Sequence, residues 1–260
     1  MKIVCCVKYV PDATADRRFN SDHTVDRAGV DGVLSELDEY AVEEALKIRE
    51  AVDESEIVVV TMGPDIARAA ILKSLQMGAD SGVHVVDEAI HGSDAVGTSL
   101  VLAKVIEQQQ ADLVLCGMAS TDGSMSVLPA MLAERLRLPQ VTFASEVSLD
   151  GSTVRIRRDG DAATEMIEAT APLLLSVTDQ ANEPRYPSFK GIMAAKKKPV
   201  ETVSLADLGI DAADVGLDAA WTRVEDAQSR PPRSAGTVVT DEDGTGADRL
   251  VEFLAGQKFI

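Results

Sequence analysis

Residues 112–124 run Asp112-Leu113-Val114-Leu115-Cys116-Gly117-Met118-Ala119-Ser120-Thr121-Asp122-Gly123-Ser124. The opening residues form an apolar run without alternation, the mark of a strand buried on both faces, and they pass directly into glycine and hydroxyl residues. A strand that ends in such a loop, ahead of a helical pattern, is the joint of a parallel α/β layer. Outward from this joint the same texture recurs. Residues 2–10 and the run Ile57-Val58-Val59-Val60-Thr61 read as buried strands, and residues 82–86 as a shorter one. Leu37, Ala41, Ala45, Ile48 and Val52 recur at helical spacing after Ser35-x-x-Asp38, which resembles a capping box. Residues 65–77, 94–109 and 129–138 continue the helical series. Strand and helix therefore alternate up to Pro139, as expected of a doubly wound, mostly parallel sheet.

After Pro139 the texture changes. Residues 141–158 and 164–178 are strand-like and are joined by turn signals at Asp150-Gly151 and Asp159-Gly160-Asp161, which predicts antiparallel additions to a mixed sheet. From residue 179 periodicity is sparse until 246–254, and Pro184, Pro187, Pro199, Pro231 and Pro232 interrupt the chain. A long segment with little core of its own wraps something else. The expected organisation is an α/β domain over residues 1–180 and an extended C-terminal, partner-wrapping arm over residues 181–260.

The chain has 260 residues, 45% of them hydrophobic, and carries 25 Lys plus Arg against 43 Asp plus Glu, a formal charge of −18. That charge repels phosphate backbones, so general nucleic-acid binding is not expected. No apolar run approaches the ~20 residues of a spanning helix, and the first residues lead straight into a strand pattern, so the expectation is a cytoplasmic protein without membrane insertion. Cys5, Cys6 and Cys116 each sit in an apolar run and read as small buried hydrophobes rather than a disulfide framework or metal site. Acidity of this degree with 3% aromatics also fits adaptation to high salt.

The familiar catalytic motifs are missing: no phosphate-loop lysine motif, no Gly-x-Gly-x-x-Gly after the first strand, no nucleophile elbow and no Cys-x-x-Cys. His84, between Val83 and Val85, reads as a solvent-facing or satisfied histidine rather than a base. What remains is a set of loops at the carboxyl ends of the strands, where open α/β sheets bind ligands. These are Tyr9-Val10-Pro11-Asp12, Met62-Gly63-Pro64-Asp65 and the loop from Gly117 to Ser124. The last offers N–H groups and hydroxyls to a phosphate, or its glycines merely permit a tight turn. A second anomaly is electrostatic, since four of the ten lysines fall at Lys190, Lys196, Lys197 and Lys198 beside Phe189, Ile192 and Met193. Such a patch suits an acidic partner protein or a phosphate ligand.

The run Asn182-Glu183-Pro184-Arg185-Tyr186-Pro187-Ser188-Phe189-Lys190-Gly191-Ile192-Met193-Ala194-Ala195-Lys196-Lys197-Lys198-Pro199 closely resembles the signature region of electron transfer flavoprotein beta subunits. The resemblance extends nearly end to end, through Val7-Lys8, Asp38-Glu39-Tyr40-Ala41-Val42-Glu43-Glu44-Ala45, Met77-Gly78-Ala79-Asp80, Leu132-Ala133-Glu134 and Arg233-Ser234-Ala235-Gly236. It implies an adenine-nucleotide-binding, Rossmann-like three-layer fold. It also implies a heterodimer whose alpha subunit holds most of the redox FAD while beta closes one wall of that site and buries AMP. In bifurcating members a second FAD, which takes hydride from NADH, replaces the AMP.

Carried over by motif, the nucleotide would touch Cys6, Ser35, Leu37, Asp38, Met62, Gly117, Ser120, Thr121, Asp122, Gly123, Ser124, Met125, Ser126 and Val127, with Ala13 and Leu37 towards the flavin. The resemblance also implies that Arg185, Tyr186, Phe189, Ile192, Met193, Lys196, Lys197 and Lys198 dock on acyl-CoA dehydrogenase-type flavoenzymes, from which electrons pass to a quinone-reducing flavoprotein. Phe189 stands where many members have leucine. Gly117-Met118-Ala119 replaces the usual Gly-Lys-Gln, and Met125 takes the position of a threonine that would cradle the FAD pyrophosphate, which favours AMP and a non-bifurcating carrier without catalytic residues. The alternatives are a bifurcating, NADH-oxidising subunit with a second FAD, and a stand-alone nucleotide-binding stress protein.

Overall fold

β1 (Lys2–Cys6) is the axis of the molecule, because its apolar residues alternate between two separate cores. The computed structural model describes residues 1–260 except 53, 229–230, 232–235 and 242, so the Arg233-Ser234-Ala235 portion of the resemblance lies outside the described residues. In chain order β1 is followed by β2 (Tyr9–Pro11), β3 (Gly32–Leu34), α1 (Glu36–Ala51), β4 (Glu56–Met62), α2 (Arg68–Met77), β5 (Ser81–Val85), α3 (Ala95–Gln109), β6 (Leu113–Gly117) and α4 (Leu128–Leu136). Then come β7 (Gln140–Ala144), β8 (Glu146–Asp150), β9 (Thr153–Asp159), β10 (Thr164–Thr170), β11 (Leu173–Val177), α5 (Phe189–Ala195), β12 (Val200–Val203), α6 (Gly216–Ala219) and α7 (Gly246–Gly256).

The central sheet has seven strands in the order β12-β5-β4-β1-β6-β11-β7, and every pairing in it is parallel. Ile3, Cys5, Ile57, Val59, Leu113 and Leu115 face one side, where Ala41, Ala45 and Leu46 of α1 and Ile71 and Leu75 of α2 cover them. Val4, Val58, Val60, Val114 and Leu174 face the other, under Val101, Leu102 and Val105 of α3 and Leu132 of α4. Helices on both faces explain why the strands read as unbroken apolar runs. The doubly wound α/β fold expected from the sequence is the fold adopted. The antiparallel strands, however, form a sheet of their own, β10-β9-β8, so the central sheet is not mixed. Salt bridges tie this small sheet across its strands, as in Arg155–Glu168 at 2.9 Å and Arg158–Glu165 at 2.8 Å.

Two compact units are present, Met1–Glu225 and Asp226–Ile260. Residues 181–225 belong to the first and contribute β12, which pairs with β5 from Val200↔Gly82 to Val203↔Val85. Leu205, Leu208 and Val215 then join the α3 and α4 core. In the second unit, α7 buries none of its residues and leaves Leu250, Val251 and Phe253 exposed. Among the described residues no helix is long and apolar enough to cross a membrane.

Candidate functional site

Crossovers leave β1 towards β4 and leave β6 towards β11, so the carboxyl ends of β1 and β6 border the switch point of the sheet, where doubly wound folds open a crevice. The N-terminus of α1 sits there. Ser35 is the N-cap residue, but it and Asp38 do not form the capping box expected of them, since the Ser35 side chain makes no cap hydrogen bond; both side chains are committed to β1 and β6 instead. Ser35 Oγ accepts the Thr121 N–H at 3.4 Å, and the Ser35 N–H donates to Lys8 O at 2.8 Å. Asp38 Oδ2 accepts the Lys8 N–H at 2.8 Å, and its other oxygen lies against Gly117, where a Cβ would stand 2.7 Å from Oδ1. Only glycine fits at 117, because the same Cβ would also meet Leu37 O at 2.7 Å. Burial pushes the Asp38 carboxyl up to about 7, against the opposing pull of Lys8 and the Gly117 N–H.

Residues 118–127 form the loop out of β6. Asp122 is its fixed point: its carboxylate is buried and accepts Lys8 Nζ at 2.9 Å and Arg27 Nη2 at 2.6 Å. Burial would raise this carboxyl, but Lys8 and Arg27 outweigh it and hold it well below the usual carboxylate range. Arg17 adds a clamp from above, donating to Thr121 O at 2.6 Å and Asp122 O at 3.2 Å. Ser120, Thr121 and Gly123 are thereby held in place, with Gly123 N–H donating to Asp122 Oδ1 at 2.7 Å.

Further on, Ser124 and Ser126 adopt left-handed backbone with φ of 52° and 57°, and Val127 returns to right-handed helical space. A left-handed residue followed by a right-handed one turns consecutive N–H groups to one point, a concavity suited to an anion. Val127 is also the N-cap position of α4, whose first turn lacks a side-chain cap. The N–H groups, the nearby hydroxyls and the excess of positive charge that Lys8, Arg17 and Arg27 leave over the single Asp122 carboxylate suit a phosphorylated ligand in a chain that is otherwise strongly negative. Met125 and Val127 are exposed beside them.

Ser35, Leu37 and Asp38 meet Gly117 and Thr121 at the carboxyl ends of β1 and β6, the loop of residues 118–127 continues from there, and Cys6 is buried at the end of β1 with Met62 ending β4 on the same edge of the sheet. Lys8, Arg17 and Arg27 escaped the sequence reading. The signal for Lys8 was a lone cation at a strand exit in an acidic chain, whereas nothing local marked the arginines, which arrive on a long excursion between β2 and β3. His84 is buried rather than solvent-facing, burial lowers its pKa, and among the described residues its Nε2 has no partner, like Oγ1 of its register partner Thr61.

The second group of residues lies around α5. Tyr186 and Phe189 are 91% and 81% exposed, and Ile192, Met193, Lys196 and Lys197 are exposed with them. Arg185 and Lys198 are turned inward. The Arg185 guanidinium grips Glu43 at 2.7 and 2.8 Å and Glu50 at 2.6 Å, which raises its pKa further. Lys198 Nζ donates to Leu75 O at 3.1 Å, Gly78 O at 3.2 Å and Ala79 O, and burial lowers its pKa.

Residues 22–208 match the family described as electron transfer flavoprotein domain. Over its whole length the chain is similar to proteins named electron transfer flavoprotein subunit beta. It is 44% identical to that of Mycobacterium tuberculosis (strain ATCC 25618 / H37Rv), with 99% of each chain covered, and equally to that of Mycobacterium leprae (strain TN) over the same share. Identity to the protein of Megasphaera elsdenii is 33%, with 100% of each chain covered.

Proposed function

The chain belongs to the electron transfer flavoprotein family, among its beta subunits, and from that premise we propose that it pairs with an alpha subunit as a cytoplasmic electron carrier. The carrier accepts electrons from flavin dehydrogenases of the acyl-CoA dehydrogenase type and delivers them to a quinone-reducing flavoprotein. FAD, held mainly by alpha, supplies the reversible redox chemistry. This chain contributes no acid or base; it binds, orients and docks.

AMP is the ligand we assign to the β1/β6 crevice. The single observation that carries the assignment is the loop out of β6, where uncapped N–H groups at Ser126–Val127 and the cations Lys8, Arg17 and Arg27 lie beside one crevice. Ser120, Thr121, Ser124 and Ser126 supply hydroxyls, and Cys6 and Met62 would line its apolar side. Exposed Met125 offers no hydroxyl where a second FAD would need one for its pyrophosphate, which favours AMP over the bifurcating alternative. Exposed Tyr186 and Phe189, flanked by Lys190, Lys196 and Lys197, support docking on an acidic dehydrogenase surface.

Co-expression with the cognate alpha subunit, acid release and chromatography of the bound nucleotides tests the assignment. One AMP per FAD is expected. Two FAD and no AMP would make this the bifurcating form instead.

A further inference from the structure

The docking segment is short, and a helix of seven residues such as α5 is not stable by itself in water. Something must hold it in shape. Four attachments do so. At its start, Arg185 fixes the segment to the outer face of α1 through Glu43, which is buried, and Glu50, while its own N–H donates to Glu43 Oε2 at 3.1 Å. Just upstream, Asn182 Nδ2 donates to Tyr40 O at 3.0 Å and Glu44 Oε2 at 2.9 Å of the same helix. At its end, Lys198 places its ammonium on the carbonyls that close α2, where the helix dipole favours a cation. In the middle, Gly191 packs so closely on α2 that a Cβ would lie 2.5 Å from Gln76 O.

We propose that Arg185 and Lys198 are positioning residues that bolt the segment to α1 and α2, while Tyr186, Phe189, Lys190, Met193, Lys196 and Lys197 make the contact with the electron donor. This rests on the docking reading above. Arg185 spends Nε, Nη1 and Nη2 on its own subunit's carboxylates and Lys198 is spent on backbone oxygens, so neither has its charge to offer a partner. Lys190, Lys196 and Lys197 are exposed and make no ion pair among the described residues. Bolting both ends removes the ordering cost that a loose segment would meet on each encounter, so a small patch suffices for a contact that must also release quickly.

The test uses the heterodimer with an acyl-CoA dehydrogenase as donor, comparing Phe189→Ala, Arg185→Gln and Lys198→Met. For each, KM for the carrier, kcat at saturation and amide hydrogen exchange over residues 186–197 are measured. Arg185→Gln and Lys198→Met are expected to raise KM at least fivefold with kcat unchanged, and to speed exchange across the segment at least tenfold. Phe189→Ala is expected to raise KM with exchange unchanged. A raised KM with unaltered exchange in the two bolt variants would make Arg185 and Lys198 direct contacts and overturn the proposal. An unchanged KM in Phe189→Ala would overturn the docking reading, whereas the exchange rates would still decide the anchoring. Should Arg185→Gln not fold, Arg185→Lys keeps the charge but loses the bidentate fork. Exchange over 186–197 as slow as in the parent would then count against the bolt.

Discussion

Asp38 and Gly117 are one joint seen from two sides. The Asp38 carboxyl titrates at about 7 in the fold, whereas an unfolded aspartate titrates near 3.9. The folded chain thus holds that proton more tightly. The contribution of Asp38 to stability is full below about pH 4 and is lost as pH rises through about 7. Asp122 runs the other way, since its pKa is lowered and its contribution fades only as pH falls below the usual carboxylate range. Carbon-13 NMR of labelled aspartates should find one carboxyl with a midpoint near 7; a set of midpoints all under 5 would refute this account of Asp38. Gly117→Ala should displace the α1 N-terminus from β6, because its methyl would stand 2.7 Å from both Asp38 Oδ1 and Leu37 O. The expected loss is roughly 1–3 kcal/mol of stability, with weaker retention of the AMP proposed for this site. An AMP-replete, equally stable variant would show that the contact can relax.

Elements were more legible than their associations. The helices over 94–109 and 129–138 and the strands over 57–61 and 112–116 were readable because burial on both faces leaves long apolar runs and each helix keeps one apolar stripe. Assigning β8, β9 and β10 to a sheet was not, since turn signals identify hairpins without saying which edge they join. The site divided similarly. Gly117, Ser120 and Asp122 announce themselves as a loop after a strand, but Arg17 and Arg27 reach that loop from more than ninety residues away in sequence. Local pattern also gave Lys198 the same reading as its neighbours Lys196 and Lys197, although of the three only Lys198 reaches the carbonyls that close α2. One consequence belongs to the α2–α5 contact. Gly191→Ala should lift α5 from Gln76 and lower the melting midpoint by several degrees, as ~1–3 kcal/mol of overpacking would in a chain of this size. An unmoved midpoint would mean that α5 can slide without loss.

At the scale of the whole molecule, a charge of −18 acts against compaction. Salt shortens the screening length from about 10 Å at 0.1 M to about 3 Å at 1 M. Raising potassium chloride across that range should therefore raise the melting midpoint, and a flat or falling midpoint would remove salt adaptation from the account of this composition. The strand order has a further consequence, for how the chain is made. β7 leaves the ribosome before β11, yet β11 lies between it and β6; β5 in turn gains its outer neighbour only when β12 emerges. A nascent chain that has just completed β7 can pair β5, β4, β1 and β6 but leaves both outer edges of that ribbon open, with β7 waiting unpaired. Synthesis thus passes through a long interval with sticky, unclosed edges, and the last strands to appear are the ones that seal them.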